Sequence, residues 1–263
     1  MNFRGGLALI KRTWMSWLQA RGFFWVLAFG WMIPPLIYLF VWSTAAGDKS
    51  IAGMDRGEFI AYYLLIIVIN QLTYSTTNWT VGDVIRYGNL NTWLLRPLPP
   101  IFEALASELA GKVVFMVFIL PVATILAAFL RPELHTTLAA SFLFTVTLLL
   151  AWMLRFLWGY WLALLAFWTA RADSLLVIQD SLVFLLSGIV APFALLPSNI
   201  ADIARWLPFR YMVGFPVEVL IGQVDGQEII LGMAVQLFWL LLSIILCRSV
   251  WHQGLKKYSA VGG

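Results

Sequence analysis

Charge is what this chain has least of. Asp, Glu, Lys and Arg make up 11% of its 263 residues, against 62% hydrophobic ones. A soluble domain carries about a quarter charged residues. With a mean hydropathy of +0.87, the chain reads as an all-α, polytopic membrane protein. A single cysteine, Cys247, excludes an internal disulfide framework and a cysteine metal cluster. The two histidines, His135 and His252, lie far apart. No cofactor or metal is therefore expected on this chain. A phosphate-binding loop is also missing: Gly111-Lys112 is followed by Val113, and Ala106 stands where the first glycine belongs. Ser187-Gly188 only faintly matches a serine protease, since position 185 is Leu and neither histidine lies in a span, so a nucleophile has no base in reach. Repeats, low-complexity tracts and linkers are absent too, so residues 1–263 read as one membrane domain.

What is present is a succession of apolar runs. Residues 1–21 are too polar to span, but Phe3, Leu7, Ile10, Trp14 and Trp17 make one stripe beside Arg4, Lys11, Arg12 and Arg21. That pattern predicts a helix lying on the membrane surface. Six spans follow, at 22–43, 59–80, 109–130, 137–169, 174–194 and 228–248. The first is too long for a signal sequence, despite the small residues Thr44-Ala45-Ala46 after it. The second ends in a polar run from Asn70 to Asn78, which suits either packing between helices or a substrate path. The fourth is long and is expected to loosen near Gly159.

Between spans two and three, residues 83–95 predict one short amphipathic helix, stopped by Pro97, Pro99 and Pro100. Between spans five and six, Pro192, Pro197, Pro208 and Pro216 cut an apolar stretch that includes Trp206, Phe209 and Tyr211. Broken backbone of this kind is tolerated at membrane depth only where protein or water satisfies it. Two re-entrant half-helices are expected, at 198–207 and 212–222, within a hairpin spanning 195–225.

Charge sets the orientation. With both termini inside, 11 of the 17 Lys and Arg fall in cytoplasmic segments, five outside, and Arg155 in the membrane. Residues 81–108 are then cytoplasmic, 44–58 and 195–225 are external, and the Asn78-Trp79-Thr80 glycosylation pattern is fortuitous. The basic excess thus reports topology, and no nucleic-acid partner is expected. Arg155 and Asp180 stand out as charges within spans, where such residues have a functional or paired role by default. They sit on consecutive antiparallel spans, although a depth mismatch of roughly 10 Å separates them. Direct pairing, separate roles and a proton relay all remain open.

Two motifs then carry a resemblance that extends over essentially the whole chain. One is Ile85-Arg86-x-Gly88-x-Leu90, followed after Trp93 by Leu94–Leu98 with Arg96. The other runs from Leu186 through Gly188, Pro192 and Pro197, then Trp206-Leu207-Pro208-Phe209-x-Tyr211, then Phe215-Pro216-x-Glu218 to Gly222. Together with the tail Trp251–Gly262, they resemble small type-2 ABC transporter permeases that lack a soluble domain. The resemblance implies a permease subunit, an exporter by direction, in a bacterial inner membrane. It also implies a second permease, identical or related, and two copies of an ABC ATPase that carries the ATP and Mg. In that reading Ile85, Arg86, Gly88, Leu90, Trp93, Leu94 and Arg96 belong to the helix that couples to the ATPase. The rival reading, a proton-coupled secondary transporter using Asp180 and Arg155, lacks the repeated halves common in that class.

Overall fold

The computed structural model describes residues 10–12, 14–15, 21–47, 49–134 and 136–258. Residues 10–12 and 14–15 are helical. The rest of the expected surface helix lies outside the described residues. The chain folds as helices in the order α1 (Arg21–Ala46), α2 (Arg56–Thr73), α3 (Thr77–Arg86), α4 (Leu90–Leu94), α5 (Pro100–Leu130), α6 (Leu138–Leu164), α7 (Ala172–Leu186), α8 (Ser198–Ala204), α9 (Gly214–Leu220) and α10 (Gly226–Leu255). Among the described residues there is one isolated bridge, Ile51 to Met54, and no strand.

Local chemistry starts these helices. Asp55 caps α2 in a reciprocal box with Glu58, and Asp225 accepts from the Glu228 amide at 2.8 Å to open α10. The Thr137 hydroxyl accepts from the Ala140 amide at 3.1 Å to open α6. Pro100 occupies the first turn of α5, where its missing N–H is no loss.

Among the described residues, five stretches are long and apolar enough to cross a membrane: Phe29–Ala46, Arg56–Arg86, Pro100–Leu130, Leu138–Phe167 and Gly226–Leu255. The expected fifth span is different. α7 has 15 residues, about 22 Å of helix, short of the ~30 Å hydrocarbon core. It stops at Leu186 because Gly188 turns the chain with φ +96°. Span four also departs from expectation: α6 runs unbroken through Gly159 and loosens only at a 3-10 turn, Leu165–Phe167.

α2 is the axis of the bundle, with 12 of its 18 residues buried. The apolar core has two parts. The larger joins α2 to Met32 and Leu39 of α1, Ile119 of α5 and the buried chain from Phe209 to Val224. The smaller gathers Val81, Ile85 and Leu90 with Ala104, Phe156, Leu164 and Cys247. α3, α4, the start of α5, the end of α6 and the end of α10 therefore meet at one end of the molecule, and the 187–224 hairpin lies at the other.

Candidate functional site

The polar run at Asn70–Asn78 breaks the second span. Ser, Thr and Asn side chains offer backbone groups an alternative to helical bonding, and α2 ends at Thr73 with Tyr74 extended (φ −58°, ψ 133°). A break inside a bundle exposes carbonyls on one side and amides on the other. α5 supplies both partners from one turn. The Lys112 ammonium donates to the carbonyls of Gln71, at 3.3 Å, and Tyr74. Glu108 Oε2 accepts from the Ser75 hydroxyl at 3.1 Å, the Thr77 amide at 3.3 Å and the Thr77 hydroxyl at 2.9 Å. Glu108 and Lys112 themselves pair at 2.6 Å, with the Glu side chain 1% exposed. Sequence reasoning missed this pair because the third helix begins at Pro100, nine residues before the expected span. The i, i+4 Glu–Lys spacing was the available signal.

Arg155 closes the same break from α6. Its Nη1 donates to Asn70 Oδ1 at 2.8 Å and Thr73 Oγ1 at 3.1 Å. Its guanidinium carbon lies 5.1 Å from the centre of the Tyr74 ring. The Tyr74 hydroxyl in turn donates to Asp180 Oδ2 at 3.4 Å. Arg155 and Asp180 are thus bridged by Tyr74 and form no ion pair of their own. Their polar partners differ, so exchanging them, Arg155→Asp with Asp180→Arg, is expected not to restore the folded yield lost in either single variant. Recovery of that yield in size-exclusion chromatography would show a direct pair instead. Close by, Asn78 donates to the Phe156 carbonyl at 3.2 Å. A Cβ on Gly159 would collide with Asn78, so this glycine serves tight packing and does not loosen the helix.

The segment expected as one helix over 83–95 is two helices. Gly88, at φ +73°, separates α3 from α4, since a left-handed residue ends helical geometry. The result is a bent knob with two faces. Ile85 and Leu90 are buried, and Trp93 packs on the smaller core. Tyr87, Leu94 and Leu95 face outward, 65%, 41% and 88% exposed. Charges pin the knob to the bundle. Arg86 pairs with Asp83 and, at 3.1 Å, with Asp173 at the start of α7. Arg96 and Arg12 both pair with Glu103 of α5.

At the opposite end, the Pro-cut stretch forms α8, a 3-10 turn at Arg210–Met212, and α9. Every residue of α9 is buried. Gly222, at φ +72°, ends it, and Pro216 sits in its first turn. Arg210 holds Glu218 through Nε at 3.0 Å and Nη2 at 2.6 Å, both side chains nearly fully buried. The Arg210 guanidinium also lies 3.7 Å from the Phe193 ring centre, just after Pro192. Arg210 lies in the 195–225 stretch expected to be external, and no local pattern marks its pairing with Glu218. Tyr62 of α2 donates to the Gly188 carbonyl at 2.9 Å, and Tyr63 and Trp42 donate to that of Val190 at 3.1 and 2.9 Å. Tyr211 donates to the Arg205 carbonyl at 2.7 Å, and Trp239 of α10 to that of Trp206 at 2.8 Å. Pro197 precedes α8, and Phe209, after Pro208, belongs to the larger core. The carbonyls of Gly188, Val190, Arg205 and Trp206 in the irregular backbone are thus met by protein side chains.

No group of His, Cys, Asp or Glu that could hold a metal occurs among the described residues. The arrangement is instead a bundle with a broken central helix, a pinned knob at one end and a buried hairpin at the other. Comparison with curated proteins gives no match. A family model described as ABC-2 family transporter protein matches residues 30–262, and the chain belongs to that family, as the multi-pass membrane component of an ABC transporter.

Proposed function

We propose that the chain is the path-forming permease of an ATP-driven exporter, paired with a second permease, identical or related. A separate ABC ATPase, two copies per complex, carries ATP and Mg and docks on the α3–α4 knob. The membrane is a bacterial inner membrane, with both termini and the knob cytoplasmic and the hairpin dipping into the outer leaflet. The charge count supports that orientation. The ABC-2 match favours this reading over a proton-coupled carrier.

One observation carries the docking surface: an outward apolar tip, Tyr87, Leu94 and Leu95, on a knob whose charges are already engaged with its own bundle. Helices of 10 and five residues are marginal alone and need surfaces to hold them. The inner face has one in the smaller core, and the outer face awaits one. The motif residues divide accordingly. Ile85, Leu90 and Trp93 anchor the knob, Gly88 bends it, Arg86 and Arg96 fix its angle, and Leu94 meets the ATPase. ATP can drive transport only by binding two global states differently. The Glu108, Lys112 and Arg155 contacts make α3 move together with α2, α5 and α6, so a displaced knob shifts the path.

A photo-crosslinking residue at position 95 tests the proposal in intact cells. It should capture a soluble protein with a nucleotide-binding motif, and the same residue at position 222 should not. Capture at 222 instead would place the ATPase at the wrong end.

A further inference from the structure

A groove of about 530 Å³ opens between α1, the α2–α3 break and α7, within the size range of small-molecule sites. Its walls are aromatic: Trp31, Tyr74, Trp79 and Phe184. Trp31 and Tyr74 lie with ring centres 4.4 Å apart. One charged residue lines it, Asp180. The Asp180 oxygens accept from two neutral donors, the Tyr74 hydroxyl and the Gln179 amide, each at a long 3.4 Å. No Lys or Arg among the described residues lies within ion-pair distance of it. Arg155, over the ring of the bridging Tyr74, acts on Asp180 only through space, its Nη1 donating to Asn70 and Thr73.

A carboxylate midway along a membrane helix is costly unless something meets its charge. Aromatic faces carry negative charge density and attract cations, quaternary ones included. A groove with aromatic walls, one carboxylate and no lining cation discriminates by sign as well as by polarity. We propose that it binds a lipophilic organic cation, a quaternary ammonium or phosphonium, with the charge at Asp180 and the apolar arms against Trp31, Trp79 and Phe184. This names a cargo class for the exporter and rests on that reading for the transport step alone. Binding rests on the groove.

The test is equilibrium binding of radiolabelled tetraphenylphosphonium to the full chain in zwitterionic nanodiscs, without ATPase and corrected against empty discs. Saturable binding is expected, undisplaced by tetraphenylborate, an anion of the same size. Asp180→Asn should weaken it about tenfold, and Trp79→Leu, which leaves the carboxylate in place, several-fold. Uptake equal to that of empty discs, displacement by the borate, or unchanged affinity in both variants overturns the proposal. So does a disulfide between two chains carrying Val177→Cys that forms as readily with the cation present as without it, since the groove is then covered by a second copy. Loss of the ATPase partner with cation binding intact would instead defeat the exporter reading and leave the groove site standing.

Discussion

Lys112→Met should lower the stability of the detergent-solubilised protein by about 3–5 kcal/mol, the range for stranding one partner of a buried ion pair. The substitution removes the cation from Glu108 and the donor from the carbonyls of Gln71 and Tyr74. Glu108 would keep its hydroxyl and amide donors from Ser75 and Thr77, but as a buried charge without its paired cation. Adding Glu108→Gln removes that charge while leaving an acceptor for the same donors. The double variant should therefore melt above Lys112→Met alone, a coupling visible as non-additivity. A Lys112→Met protein that melts within about 0.5 kcal/mol of the parent would show an ordinary surface pair.

Arg210→Met is expected to act locally. Arg210 closes the hairpin by holding Glu218, and both side chains are nearly fully enclosed. Stranding Glu218 in that setting costs about 3–5 kcal/mol, and the pair ties Arg210 to Glu218 within the 187–224 stretch, outside the long helices. Amide exchange across 187–224 should then speed up on the order of a hundredfold or more, with α6 and α10 unchanged. Glu218→Gln in the same chain should recover much of the protection. Exchange that quickens evenly over all the helices would mean that the pair supports the whole bundle.

The parts legible in the sequence were those written in strong local signals. Four prolines in apolar sequence located the interruption, and the short helices expected at 198–207 and 212–222 are α8 at Ser198–Ala204 and α9 at Gly214–Leu220. Length and hydropathy located the long helices. The central break was harder. The Asn70–Asn78 run was visible as unusually polar, but what polar residues bind depends on α5 and α6, which meet α2 only in the fold. Glu108 fell in the expected loop and Lys112 in the first turn of the expected span because α5 begins earlier, at Pro100, and the capping of a break from another helix leaves no pattern along the chain. Gly88 was within reach: a glycine midway through a short amphipathic segment invites a left-handed turn, and the segment bends there. That bend turns Trp93 inward and Leu95 outward, an orientation that one continuous helix does not predict.

The central claim is that motion enters this permease through the α3–α4 tip, and ATP turnover measures it most directly. The permease carrying Leu94→Asp and Leu95→Asp would be purified with its ATPase and reconstituted in lipid beside the parent complex. Both leucines are exposed, so the fold should be preserved. A buried apolar anchor replaced by a charge typically costs an interface several kcal/mol. The account predicts that ATPase co-purification and permease-dependent ATP turnover fall at least about tenfold, with the permease still helical and inserted. Turnover equal to that of the parent, on an intact complex, would contradict it.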